Sequence, residues 1–280
     1  MYFMLMLVVL LALPFAVIAA LILAARFEAR RHAWQFRISD VFSRAFSTIT
    51  RAPVAILATS LVFSALPSLV LQLLFGLSPG NALFAMTGTQ TATAIALGTL
   101  AGLLIGTLGE VTMIGIALDV LAGRPAKPGA ALAQGLRLLL PAIVARLLWW
   151  IGVTVGLMLV VIPGLVLMLT WAVVLPVLVA ERPGIFASFR RSGELVVGAR
   201  WRLLLLGAMV LVLWAIFGGM AQGFLLGSVT GAAHAGSLVF QTAITTLSGA
   251  LTATGLSAIY HQLKSEREGL MGQDLEAVFA

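Results

Sequence analysis

The sequence predicts an all-α fold: a polytopic transmembrane bundle of about seven spans, in which amphipathic interfacial helices precede transmembrane hairpins. Three observations predict it. Of the 280 residues, 61% are hydrophobic and only 10% charged, with a mean hydropathy of +1.11; a water-soluble domain of that composition would leave too much apolar surface in contact with solvent. Uncharged apolar runs of about 20 residues, the length that crosses a bilayer, alternate with short segments that carry charge. Finally, all but one of the 17 Lys/Arg residues fall in those short segments, and every such segment can lie on the same side of a membrane.

Taken in order, the apolar runs lie near 4–25, 54–77, 92–121, 138–161, 165–180, 202–226 and 238–261. Nothing basic precedes the first run, whereas Arg26, Arg30 and Arg31 follow it. That is the charge order of an uncleaved anchor with its N-terminus outside rather than of a signal peptide. The fourth and fifth runs are continuous in hydropathy, and Pro163-Gly164 is the expected turn between them. With seven spans and a cytoplasmic C-terminus, sixteen basic residues and nine of the ten acids fall inside, so the whole formal charge of +7 faces one leaflet. The loops 78–91, 162–164 and 227–237 carry no charge at all. This bias and the arginine-rich, alanine-rich composition point to a bacterial inner membrane and to anionic membrane lipids as partners. A protein partner or a homo-oligomer stays open, and no nucleic-acid partner is expected.

Two of the basic segments are amphipathic. In 39–52, Val41, Phe42, Ala45, Phe46 and Ile49 share one helical face and Arg44, Ser47 and Arg51 occupy the other, with Ser39 as the expected N-cap. In 184–199, Ile185, Phe186, Phe189, Val196 and Val197 share a face opposite Arg191 and Glu194. Both read as helices lying in the interface before the chain enters the bilayer. A shorter Ala-rich version, 129–137, precedes the fourth span. The chain divides accordingly into an N-terminal anchor and basic linker (1–37), a membrane domain of three units, each an interfacial helix plus a hairpin (38–263), and a cytoplasmic polar tail (264–280).

The order Ile162-Pro-Gly-Leu165, Trp171, Pro176, Glu181, Ser188, Arg191-Ser192, Glu194-Leu195, Gly198, Arg200-Trp201, closing on Ala258-Ile-Tyr260, resembles the membrane domain fused to some glycerophosphoryl diester phosphodiesterases. Similar stand-alone bacterial membrane proteins also exist. The resemblance covers about residues 38–270 and is a diffuse pattern without a catalytic signature. It implies a membrane module lacking the catalytic domain that gives the family its name, and it does not imply a phosphodiesterase.

Glu110 and Arg146 are the ionisable residues deepest inside apolar runs. At about 1.5 Å per residue they lie roughly 16 Å and 12 Å from the charged ends of their helices, a depth mismatch that arginine's reach closes. A charge at mid-bilayer costs at least about 2.5–3.5 kcal/mol, so the two are expected to pair. The pair reads as a structural brace or as the lining of a polar transport site; the remaining reading is that Arg146 snorkels to the surface. Arg44, Arg51, Arg190 and Arg191 are the expected lipid-headgroup contacts. Gly98, Gly102 and Gly106, Gly152 and Gly156, and Gly219, Gly223 and Gly227 are spaced for close helix packing. Trp149 and Trp150 are expected to pack within the fourth span. The hydroxyl-rich seventh span is expected to turn a polar face to the bundle centre.

No enzyme is expected. The chain has no cysteine, its three histidines (His32, His234, His261) are scattered, and neither Gly-x-x-x-x-Gly-Lys nor Gly-x-Ser-x-Gly occurs. No metal site and no cofactor follow from such a residue set. The function expected is a non-enzymatic membrane protein that binds or organises lipid or a partner protein, the alternative being a small transporter or channel with a polar site around Glu110 and Arg146.

Overall fold

The computed structural model describes residues 37–75, 96–159, 161–212 and 232–279. The first expected span, the loop 78–91, most of the outer part of the sixth span and the glycines 219–227 lie outside these residues. Among the described residues every element is helical, and five helices are long and apolar enough to cross a membrane: Pro53–Leu73, Ala96–Leu121, Pro128–Leu159, Gly164–Glu181 and Gly236–Gly269. They coincide with the second, third, fourth, fifth and seventh expected runs. The chain is a multi-pass, all-α membrane protein.

In chain order, α1 is Ile38–Arg51. It ends at Ala52 (φ −137°, ψ 56°), and α2 (Pro53–Ser60) begins with proline, whose missing N–H is unneeded at that position. A π-turn at Leu61–Ala65 joins α2 to α3 (Leu66–Phe75). The third span runs through α4 (96–101), a π-turn at Gly102–Gly106, and α5 (Thr107–Leu121). Next come α6 (Pro128–Leu159), α7 (Val161–Thr170) and α8 (Val174–Glu181). Last are α9 (Ile185–Val196), α10 (Arg200–Val212) and α11 (Ala232–Phe279).

α9 and α10 meet at 101°, the geometry of a helix lying beside the bundle before the chain turns into a span. Gly184 (φ 93°) and Gly198 (φ 90°) bracket α9; both need a backbone conformation that a Cβ resists. α1 turns into α2 at the Ala52 break in the analogous position.

Four expectations are corrected. The 129–137 segment is not a separate interfacial helix. It is the first part of α6, which continues unbroken through Pro141. It packs along the third span instead of lying on a surface: Gly115 meets Ala131, and a Cβ at Gly135 would come within 2.8 Å of Thr112 Oγ1. Ser39 is not the N-cap of α1; Arg37 holds that position, and Ser39 donates to the Asp40 carboxylate at 3.2 Å. Pro163-Gly164 does not form the turn between the fourth and fifth spans; it lies within α7, which starts at Val161. Proline is tolerated in a first turn, where no N–H is required. Lastly, Trp150 stacks edge-on against Trp149 at 5.6 Å but is mostly exposed, on the face that lipid covers.

The hairpin of α6 and α7 is held by glycine. Gly156 and Gly164 bring their backbones together, with a Cβ on Gly156 reaching 2.9 Å from the Gly164 Cα, and Gly152 leaves room for the Trp171 ring. A Cβ on Gly98 would make ordinary contact with Leu71, whereas one on Gly102 or Gly106 would meet no described atom within 4 Å. The core concentrates toward the charged end of the bundle. Val41 and Ala45 of α1 pack there against Val173, Val177, Leu195, Val196, Leu203 and Leu263. Beside them Val111, Ile114, Ala142, Ala145 and Leu178 form a second cluster.

Candidate functional site

Glu110 sits in the first turn of α5, below the π-turn that ends at Gly106, and Arg146 lies midway along α6. The structure brings them together: Arg146 Nη1 lies 2.6 Å from Glu110 Oε2 and 3.4 Å from the Thr107 hydroxyl. The Glu110 side chain is only 17% exposed. At that distance the bond is charge-assisted and strong, and in a medium that solvates ions poorly each partner compensates the other.

The four arginines expected at headgroups are placed differently from one another. Arg190 is 82% exposed, with only Glu194 near it at 3.7 Å. Arg51, in the last turn of α1, is exposed and has no polar contact with any described residue. Arg44 is half-buried and donates to Nδ1 of His261 at 3.0 Å. That ring nitrogen must therefore present a lone pair, which fixes His261 as neutral with its proton on Nε2. Arg191 is committed inside the protein: its Nε is 3.1 Å from Glu181 Oε2, and its side chain is 27% exposed.

Glu181, at the end of α8, stands in the residue pattern of the resemblance, but its role as a junction was not expected. Besides Arg191 it receives the phenolic hydrogen bond of Tyr260 at 2.8 Å and faces Lys264 Nζ at 3.5 Å. The carboxylate thus ties the end of the fifth span to α9 and to the charged end of the seventh. One signal was available: an acid closing a wholly apolar run calls for a cation, and Arg191 follows ten positions later. Around this junction, Trp171 and Phe189 pack edge to face at 4.9 Å, joining α9 to the α7–α8 break.

The aromatic residues of the interfacial helices split by face. Val41, Ala45 and Thr48 point into the bundle, while Phe42 and Phe46 point out. On α9, Ser188, Ser192, Leu195 and Val196 are buried and Phe186 is 79% exposed. Phe186 and Arg190 are four positions apart, so they stand one above the other on the same outward face.

The seventh span buries Ser237, Gln241, Thr254 and Ser257 in the bundle, but its hydroxyls are satisfied within their own helix. Thr242, Thr245, Thr246, Ser248, Thr252, Thr254 and Ser257 all donate to carbonyls three or four residues earlier in their own helix. Ser/Thr hydroxyls in a helix have that acceptor always within reach. Hydroxyl bonds also cross to or from this helix: Ser60 donates to the Thr246 carbonyl at 2.6 Å, and Tyr260 donates to Glu181 at 2.8 Å.

Comparison with known proteins finds no matching family model, no matching curated protein and no matching solved structure.

Proposed function

We propose that this chain is a non-enzymatic bacterial inner-membrane module that binds and organises anionic lipid through its basic interfacial helices, with its N-terminus outside and its C-terminus in the cytoplasm. It is a counterpart of the phosphodiesterase-linked membrane domain that its sequence resembles. One observation carries the reading: Phe186 and Arg190 share an exposed face of α9, the helix that precedes the bend into the next span. An aromatic ring there inserts at the boundary of headgroups and acyl chains, while the guanidinium one turn on meets the phosphate. Arg51, without a protein partner among the described residues, supplies a second such cation at the bend after α1.

The transport alternative has less to support it. Glu110 and Arg146 satisfy each other and Thr107, neither residue lines either of the cavities described for this bundle, and the hydroxyls of the seventh span are occupied locally. These observations favour the brace. The lipid reading is tested by native mass spectrometry of gently solubilised protein. Replacing Arg51 and Arg190 together by Gln is expected to remove about 1 kcal/mol of attraction per charge, roughly thirtyfold in retained phosphatidylglycerol or cardiolipin for the pair. Unchanged lipid retention in that variant contradicts the proposal.

A further inference from the structure

Arg44 of α1 reaches across to α11 and donates to Nδ1 of His261 at 3.0 Å. Arginine is a donor only and stays charged, so this bond lasts only while the ring nitrogen keeps its lone pair. A proton on Nδ1 removes the acceptor and sets an imidazolium against a guanidinium. Imidazole is the side chain for which this happens in the physiological range, since it ordinarily titrates near pH 6.5. The tether between α1 and the charged end of the seventh span thus hangs on one proton.

The groups around His261 leave such a proton uncompensated. Arg44 faces the ring from α1 and Lys264 from α11 itself. His261 also lines an open cavity of about 460 Å³ at the charged end, whose other charged groups are Asp119 of α5, Arg124 just after it, Arg182 at the end of α8 and Glu268 of α11. Both of those acids are engaged, Asp119 with Arg124 at 2.7 Å and Glu268 with Lys264 at 3.7 Å. Glu181, close by, is taken by Arg191, Lys264 and Tyr260. An imidazolium at this position therefore meets cations first.

Arg44 has a second acceptor within its field. Glu266, further along α11, is attracted to Arg44 and Arg202 and repelled by Asp40. Its Oε1 accepts from Gln262 Nε2 at 3.2 Å, whereas its Oε2 is buried and accepts no hydrogen bond. A buried carboxylate oxygen left without a donor is costly, and such an orphan calls for an explanation. We propose that His261 and Glu266 are the two poles of a proton-operated clasp, in which Arg44 is held by His261 while the ring is neutral and transfers to Glu266 Oε2 when Nδ1 takes a proton. The transfer separates two like charges, supplies the orphaned oxygen with a donor and moves the tether of α1 about one turn along α11. α1 carries Phe42, Phe46 and Arg51, so the clasp governs where that face is held, and it does not depend on what the face binds.

The experiment is nitrogen NMR of the imidazole on the full chain in detergent, in a His32→Gln/His234→Gln background that leaves His261 as the sole histidine. The titration runs between about pH 8 and pH 5, on both sides of the ordinary imidazole value. At the alkaline end the ring is expected to carry its proton on Nε2. Arg44→Gln keeps a donor to Nδ1 without the charge, and is expected to raise the pH at which His261 takes its proton by about one unit, a tenfold change in proton affinity. Glu266→Gln removes the alternative seat for Arg44 and is expected to lower that pH. Combining the two separates a clasp from independent charges: with Arg44→Gln in place, Glu266→Gln is expected to shift the titration little, because the glutamate acts on the ring through Arg44. The proposal is overturned if the neutral ring carries its proton on Nδ1, if Arg44→Gln titrates like wild type, or if Glu266→Gln shifts the titration equally with and without Arg44.

Discussion

The Tyr260 hydroxyl donates to Glu181 Oε1 at 2.8 Å, fastening the charged end of the seventh span to the end of the fifth. The same carboxylate holds Arg191 through its other oxygen, so one acid joins three helices. Tyr260→Phe removes the bond and keeps the ring, and is expected to destabilise the protein by about 1–2 kcal/mol. Thermal unfolding in detergent measures it. A midpoint identical to wild type would mean that the junction contributes nothing.

The buried pair invites a sharper test. Glu110→Gln leaves Arg146 uncompensated at depth and is expected to cost about 2.5–3.5 kcal/mol, whereas Glu110→Met combined with Arg146→Leu recovers much of that loss, because two apolar side chains need no partner there. The pair of unfolding curves distinguishes a brace from a transport site. A Glu110→Gln protein with an unchanged midpoint that has lost an ion or proton flux in liposomes supports transport instead.

Packing of the α6–α7 hairpin rests on glycine at particular positions. A Cβ on Gly152 runs into the Trp171 ring, so Gly152→Ala is expected to destabilise by about 1–3 kcal/mol, the usual cost of overpacking. Gly102→Ala meets no described atom within 4 Å and is expected to stay within about 0.5 kcal/mol of wild type. Equal effects at the two sites would show that glycine spacing, and not contact, is what matters.

Much of this architecture was legible from charge and length, because hydrocarbon excludes ions over a fixed thickness. The pairing of Glu110 with Arg146 was legible for the same reason: depth can be counted along a helix. The 129–137 segment was not. Nine alanine-rich residues look alike whether they lie on a membrane surface or against another helix, and the deciding contacts, Gly135 with Thr112 and Gly115 with Ala131, come from another span. The acceptors of the seventh-span hydroxyls were not legible, because composition reports polarity but not its acceptor, and the nearest acceptor is in the same helix. Glu181 and Tyr260 both stand in the resemblance pattern, but their contact was not legible because the two are brought together only by the fold.

The central claim is that every basic segment lies on one side of the bilayer, and the absence of native cysteine makes it directly testable. Single cysteines at Ser39 and Ser265, both exposed at the charged end, and at Ser78 in the uncharged loop are treated with a membrane-impermeant maleimide in whole cells. The expected result is labelling of Ser78→Cys in intact cells and of Ser39→Cys and Ser265→Cys only after permeabilisation. Labelling of either charged-end cysteine in intact cells would contradict the account.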